Sequence, residues 1–153
     1  MNEDSKWMQR AFELAQKAKA HDEVPVGAVI VHEDKNIGEG WNQPISSNDP
    51  TAHAEIIALR DAGNKVGNYR LPNATMYVTL EPCAMCAGAI IHARLSKIIF
   101  AVTDSKTGAC GSVFNLLKSE ELNHKVEIGK GIMEDECRSL IQTFFKEKRN
   151  KSP

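Results

Sequence analysis

The chain has 153 residues with a formal net charge of −1, and 25% of its residues are charged. That length fits one domain, residues 1–153, with a substantial core, while a charge near zero argues by itself neither for nor against a nucleic-acid partner. The acidic N-terminus argues against a secretory signal, and no apolar run approaches the length of about 18 residues that a membrane span needs. Four cysteines, two of them in a paired metal motif, fit a reducing compartment better than a disulfide framework. We therefore expect a soluble cytoplasmic protein with no membrane partner.

The first part of the chain is predicted to form a helix, a β-hairpin and a second helix. Apolar residues at helical spacing predict the first helix over about residues 5–20. Two β-rich segments, 26–31 and 37–41, flank a turn at 33–36 and predict the hairpin. Segment 49–63 opens with Asp-Pro-Thr, a typical helix start in which the Asp or the Thr could cap the helix.

The second part alternates strands with helices. Strand 75–80, helix 84–94 and strand 97–102 form a natural right-handed βαβ unit. A fifth strand is predicted at 126–128 and a last helix at about 134–148. The pattern therefore predicts an α/β fold with three layers, α/β/α, in which helices flank a mixed sheet of about five strands.

Three residues in this framework are typical zinc ligands. His53, Cys83 and Cys86 offer the nitrogen and thiolate sulfur that zinc prefers, and the cysteines open a predicted helix, whose N-terminus lowers a thiol pKa. Structural zinc sites usually have four protein ligands, whereas catalytic sites have three and keep the fourth position for water. Cys110 and Cys137 lie outside any paired motif. The spacing therefore favours an open, catalytic zinc site.

Glu55 lies two residues after His53 and provides the base that a zinc-activated water needs. Residues two apart point to opposite sides of a regular helix, so we expect His53 in the irregular first turn and Glu55 inside the helix. Each group alone has an ordinary explanation: a core histidine, a solvated glutamate, or a redox pair at Cys83 and Cys86. Together they favour catalysis and resemble the His-x-Glu and Pro-Cys-x-x-Cys signature of zinc-dependent base deaminases.

Longer motifs make the resemblance more specific. Asp-Pro-Thr-Ala-His-Ala-Glu from Asp49, Tyr-Val-Thr-Leu-Glu-Pro-Cys-Ala-Met-Cys-Ala-Gly from Tyr77 and Lys-Thr-Gly-Ala-Cys-Gly-Ser from Lys106 resemble the bacterial tRNA-specific adenosine deaminase family. The resemblance runs over nearly the whole chain. It implies the cytidine-deaminase fold, one Zn²⁺ per chain, a homodimer, and conversion of the wobble adenosine in an arginine tRNA anticodon to inosine with release of ammonia.

The resemblance also implies roles for individual residues. His53, Cys83 and Cys86 match the zinc ligands, and Glu55 matches the catalytic proton shuttle, which takes a proton from the activated water and passes protons to N1 of adenine and to the departing ammonia. The Ala54 N–H lies where the family contacts the base.

Three further positions match substrate contacts of the family. Val26 matches an apolar pocket wall, Asn42 a group that hydrogen-bonds the flipped adenine, and Asp104 a position beside the sugar and backbone, where it would favour RNA through the 2′-hydroxyl. Without the resemblance, Asn42 is an ordinary turn residue before Pro44, and Asp104 is an ordinary loop residue.

The basic C-terminus is a candidate surface for the anticodon stem-loop. Four cationic residues, Lys146, Lys148, Arg149 and Lys151, closely follow Phe144 and Phe145. The two phenylalanines either stack on bases or are buried in the core. Two other functions stay open from the residues alone. The first is deamination of a free base or nucleoside, such as guanine or a cytosine compound. The second is a non-catalytic RNA-binding module with structural zinc, which requires a fourth protein ligand.

Overall fold

The computed structural model describes residues 2–119 and 121–151. It contains four α-helices, five strands and one short 3₁₀ helix in that part of the chain. In chain order these are α1 (Glu3–Ala20), β1 (Gly27–His32), β2 (Lys35–Trp41), α2 (Ala54–Val66), β3 (Thr75–Leu80), α3 (Ala84–His92), β4 (Lys97–Val102), the 3₁₀ helix (Leu116–Lys118), β5 (Glu127–Lys130) and α4 (Glu134–Lys151).

The five strands form one mixed sheet in the order β2-β1-β3-β4-β5. Strand β1 pairs antiparallel with both β2 and β3, whereas β3, β4 and β5 run parallel. The hairpin, the βαβ unit and the five-stranded mixed sheet are therefore confirmed. Because Leu80 pairs with Val102 in the parallel register, the segments that follow β3 and β4 leave the sheet at the same edge. That edge holds the candidate site, as is usual for parallel strands.

Helices cover both faces of the sheet, which confirms the three layers. On one face α1 and α4 bury a cluster that includes Met8, Leu14 and Cys137 against Tyr77 and Ile99. On the other face α2 and α3 bury a larger cluster, in which alanines of α2 and Ile90 of α3 pack on residues such as Phe100. None of the helices in the described residues is long and apolar enough to cross a membrane.

Two glycines of β2 allow α2 to lie directly on the sheet. A Cβ at Gly38 would come within 2.6 Å of the Ala62 nitrogen, and a Cβ at Gly40 within 2.7 Å of the Ala54 oxygen. Both distances are shorter than real Cβ contacts, so only glycine permits this approach. The close contact places the start of α2, and with it the His-x-Glu motif, at a defined height above the sheet.

The start of α2 differs from the sequence prediction. The helix begins at Ala54, not in the Asp49 to Thr51 segment, and its N-cap is His53. Asp49 caps its own short turn instead, because its carboxylate accepts hydrogen bonds from the N–H and the hydroxyl of Thr51. The prediction that His53 precedes the regular helix while Glu55 lies inside it is confirmed.

Candidate active site

His53 and Cys83 occupy equivalent positions at the starts of two helices. His53 is the N-cap of α2 and Cys83 is the N-cap of α3; both have extended backbones and neither side chain caps its helix. Cys86 lies in the first turn of α3 and is fully buried. The two helix N-termini thus meet at one point, where their positive dipole ends stabilise cysteine thiolates, and it is these thiolates together with the His53 ring that can bind a cation.

The donor atoms of these side chains fit zinc. His53 Nδ1 lies 3.6 Å from Cys83 Sγ and 3.5 Å from Cys86 Sγ. A tetrahedral ion with typical Zn–N and Zn–S bond lengths separates such ligands by about 3.6 Å. Within the described residues, the donor group contains His53, Cys83 and Cys86 and no fourth protein ligand. This favours the open catalytic site over the structural zinc module.

The two cysteines differ in their surroundings. The pKa of the Cys83 thiol is lowered to about 4, because the Cys86 thiol and the His53 ring donate hydrogen bonds to its sulfur. The pKa of the Cys86 thiol is raised above its usual range, because the thiol donates a hydrogen bond to Cys83 and is buried beside Glu55. A dication bound here would displace the proton of the Cys86 thiol, so that both sulfurs ligate as thiolates.

Glu55 lies beside this group and is almost completely buried, with 4% of its surface exposed. Burial raises the pKa of its carboxyl group to about 7. A general base works best when its pKa lies near the operating pH. Glu55 is thus suited to accept and return protons at neutral pH.

A cavity of about 250 Å³ opens directly onto the donor group. Its walls contain six of the residues that the sequence singled out: Val26, Asn42, His53, Glu55, Cys83 and Asp104. They come from five separate parts of the chain, and the fold brings them together. Pockets for drug-sized ligands measure about 300–1,000 Å³, so this smaller cavity fits a single small ring system.

Ala54 and Asn42 contact each other across the cavity wall. The Ala54 N–H donates a hydrogen bond of 2.7 Å to Asn42 Oδ1. Because a backbone N–H can only donate, this bond fixes the amide of Asn42 with its oxygen toward Ala54 and its NH₂ free to donate elsewhere. The Ala54 N–H is engaged within the protein here, and its role as a substrate contact stays a prediction.

Two buried carboxylates that hold loops in place were not predicted from the sequence. Glu23, 1% exposed, accepts hydrogen bonds from the backbone N–H groups of Ile45 and Ser46. Glu81, 3% exposed, lies on the cavity wall and holds the loop that carries Asp104. The sequence offered one signal that Glu81 is buried: it follows an apolar strand directly and precedes Pro82 and Cys83.

The C-terminal helix resolves the alternatives for its phenylalanines. Phe144 is buried and belongs to the core side, whereas Phe145 is 43% exposed. Lys148 pairs with Asp22 at 2.5 Å and also lies over the Phe144 ring. The side chain of Lys151 lies outside the described residues. Phe145 is therefore the phenylalanine that a partner could reach.

Comparison with known proteins places this site in a family. Residues 1–102 match the model of the cytidine and deoxycytidylate deaminase zinc-binding region. The fold and the His-Cys-Cys group thus define a zinc-dependent deaminase. A tRNA-specific adenosine deaminase of Haemophilus influenzae is 52% identical over 95% of this chain and 85% of its own, and that of Bacillus subtilis is 40% identical over 99% and 94%. The chain belongs to the tRNA-specific adenosine deaminase family.

Solved structures agree. A chain from a study of A-to-I editing by tRNA:A34 deaminases at the wobble position of transfer RNA has a TM-score of 0.85 and 38% sequence identity, over 88% of this chain and 98% of that chain. The cytidine-deaminase-like fold expected from the sequence is confirmed.

Proposed function

We propose that this protein hydrolytically deaminates the wobble adenosine of a tRNA anticodon to inosine, with one Zn²⁺ per chain, and releases ammonia. The observation that carries the proposal is Glu55, a buried carboxylate that opens into a cavity for one base beside the open His-Cys-Cys group. Family membership names the base and its carrier, because the relatives are tRNA-specific adenosine deaminases.

The reaction replaces the amino group on C6 of adenine by oxygen. When bound by His53, Cys83 and Cys86, zinc supplies Lewis-acid activation of water. Glu55 takes a proton from that water as its oxygen adds to C6, and delivers it to N1. Glu55 then takes the remaining proton from the new hydroxyl group on C6 and transfers it to the amino group as the C6–N bond breaks and the C6=O bond forms. Water and adenosine thus give inosine and ammonia, and Glu55 returns to its starting state.

The cavity walls hold the base for this transfer. Asn42 turns its oxygen toward the Ala54 N–H, which leaves its NH₂ group as a donor for a ring nitrogen acceptor of adenine. Val26 supplies an apolar wall. A cavity of about 250 Å³ has no room for stacked neighbours, so the target base must leave the anticodon stack to enter.

For the wider substrate, we propose the anticodon stem-loop of an arginine tRNA, a choice that rests on the family resemblance. Asp104 lines the cavity and is half-exposed. Its carboxylate accepts hydrogen bonds from the N–H groups of Lys106 and Thr107 and from the Thr107 hydroxyl, and it keeps a further lone pair for a ribose hydroxyl. The exposed cations Lys146 and Arg149, with Phe145, offer a basic and partly aromatic surface for the stem-loop. Since tRNA is the substrate, we expect the protein to act in the cytoplasm.

We further propose a homodimer built on the face that α2 and α3 share. A cleft of about 960 Å³ lies between these helices, and its lining includes Leu59, Tyr69 and Ala93. Tyr69 and the adjacent Val66 are 69% and 51% exposed, which is unusual for large apolar side chains. A Tyr69→Asp variant should shift the protein from dimer to monomer in analytical ultracentrifugation. A wild-type monomer at micromolar concentration would contradict the homodimer.

The proposed activity is tested by inosine formation in zinc-loaded protein. We would compare an arginine-tRNA anticodon stem-loop with free adenosine, guanine and cytidine. Inosine at the wobble position alone supports the proposal, whereas turnover of a free base or nucleoside alone supports the metabolic deaminase. Glu55→Gln should keep one zinc per chain and lose at least about a hundredfold in rate. The matched control Glu13→Gln, on the exposed face of α1, should keep full activity.

A further inference from the structure

Glu81 connects the two halves of the site through its carboxylate. It follows β3 directly and precedes Pro82 and the zinc ligand Cys83. Its backbone N–H continues the sheet by donating to the Val102 carbonyl at 2.8 Å. The main chain of Glu81 is therefore fixed to the sheet, while its side chain reaches into the 104–112 loop.

The carboxylate organises that loop from within. Glu81 Oε1 accepts a hydrogen bond from the Asp104 N–H at 2.9 Å, and Oε2 accepts from the N–H groups of Cys110 at 2.9 Å and Ser112 at 3.1 Å. The Ser112 hydroxyl donates to Oε1 as well. Glu81 itself is only 3% exposed, so its carboxylate depends on these donors to replace water. Both ends of the loop are thus bound to one side chain.

The middle of the loop is shaped to the same carboxylate. A Cβ at Gly108 would come within 2.4 Å of Glu81 Cδ and 2.6 Å of the Asp104 oxygen, so the loop passes too closely for any side chain. The Ala109 N–H adds a bond of 2.8 Å to the Pro82 carbonyl. Asp104 and Thr107, which the loop places on the cavity wall, are therefore set relative to the zinc ligands through Glu81.

We propose that Glu81 is a positioning residue that holds the 104–112 loop, and with it Asp104, at the rim of the cavity so that an RNA-borne adenosine can bind. The inference rests on the proposed tRNA activity. It assigns Glu81 to substrate binding and leaves metal binding to His53 and the two cysteines. No proton transfer is assigned to Glu81, because its oxygens are occupied by loop donors.

Glu81→Gln tests this with little change in shape. Glutamine must turn its NH₂ either toward the Asp104 N–H or toward the N–H groups of Cys110 and Ser112, and each choice opposes donors to donors. We expect the variant to keep one zinc per chain, to raise KM for the anticodon stem-loop about tenfold or more, and to change kcat less. Amide hydrogen exchange should accelerate at Asp104, Cys110 and Ser112 but not at Ala87 of α3.

A second variant and a control separate the possible outcomes. Gly108→Ala should disturb the same loop from its middle and give the same KM increase. If Glu81→Gln does not fold, this variant tests whether the position of the loop controls substrate binding. Glu39→Gln removes a hydrogen-bonded carboxylate far from the cavity and should leave KM unchanged. Loss of zinc in Glu81→Gln, or unchanged KM in a folded variant, would overturn the proposal. If wild-type protein does not deaminate the stem-loop, the proposed function fails first, and the exchange result still tests the loop.

Discussion

The contact between α2 and the glycines of β2 gives a sharp prediction about the metal site. Gly40 lies under the first turn of α2, where an added Cβ would lie 2.7 Å from both the Ala54 oxygen and the Ala58 nitrogen. Gly38 lies two residues away on the same face of the strand, under the later turns at Ala58 and Ala62. Replacing either glycine by alanine therefore pushes the same helix at different distances from His53.

The required movement follows from the contacts. Ordinary contact begins at 3.4 Å, so a Cβ at 2.7 Å forces α2 away from the sheet by about 0.7 Å. Overpacking of this kind typically costs about 1–3 kcal/mol, so both Gly38→Ala and Gly40→Ala should lower the free energy of unfolding by that amount. Metal ligands tolerate only about 0.2 Å of displacement. Gly40→Ala should therefore also weaken zinc binding by about tenfold or more, whereas Gly38→Ala should weaken it less.

The assay compares urea unfolding with zinc affinity, measured by competition with a chromogenic chelator. Gly88→Ala is the matched control, because nothing lies within 4 Å of a Cβ there and a helical glycine gains about 0.5–1 kcal/mol on replacement by alanine. If Gly38→Ala and Gly40→Ala lost the same stability and had the same zinc affinity, the idea that β2 sets the distance of His53 from the sheet would be refuted.

Three further predictions concern zinc, pH and thiol chemistry. Cys86→Ala should reduce the zinc content measured by atomic absorption to near zero, and a variant that kept stoichiometric zinc would remove Cys86 from the ligands. The Arg10 guanidinium lowers the pKa of Glu39 below its ordinary value of 4.5, so its stabilisation is complete above that pH and is lost as pH falls through the lowered pKa. Glu39→Gln should thus cost about 0.5–1 kcal/mol in urea melts at pH 7, and a gap that stayed constant below pH 4 would contradict this. Burial raises the pKa of Cys110 and of Cys137 to about 12, so iodoacetamide at pH 8 should label neither thiol in native protein. Modification of either cysteine, detected by mass spectrometry, would argue against that burial.

The sequence predicted best what depends on neighbours along the chain. The bounds of β3 and β4 were predicted correctly, because apolar β-rich runs and flanking turn residues are local signals. The candidate zinc ligands were identifiable for the same reason, since His-x-Glu and Cys-x-x-Cys are short motifs. The start of α2 was predicted too early, because Asp49 satisfies its capping capacity within its own turn at Thr51. A typical cap residue does not by itself tell which turn it closes.

Contacts between distant segments could not be predicted from local patterns. Glu81 bonds to residues 23 to 31 positions away, and Glu23 to residues 22 and 23 positions away. A buried glutamate with backbone partners has the same letter in the sequence as a solvated one. The bond from the Ala54 N–H to Asn42 is of the same kind, and it changes which of the two groups is available to a substrate.

The two N-caps, His53 and Cys83, relate metal binding to the stability of the helix starts. A capping side chain usually contributes about 0.5–2 kcal/mol to its helix, yet neither His53 nor Cys83 makes a cap hydrogen bond. The first turns of α2 and α3 thus lack a stabilising interaction that Asn2 supplies to α1, where its side chain accepts from the Ser5 N–H at 2.8 Å. A zinc ion held by His53 and Cys83 would supply what these caps do not, because it would tie both helix starts together. We therefore expect metal binding and the packing of α2 against α3 to be coupled, and residues that hold either helix start to hold the Glu55 carboxylate in place as well.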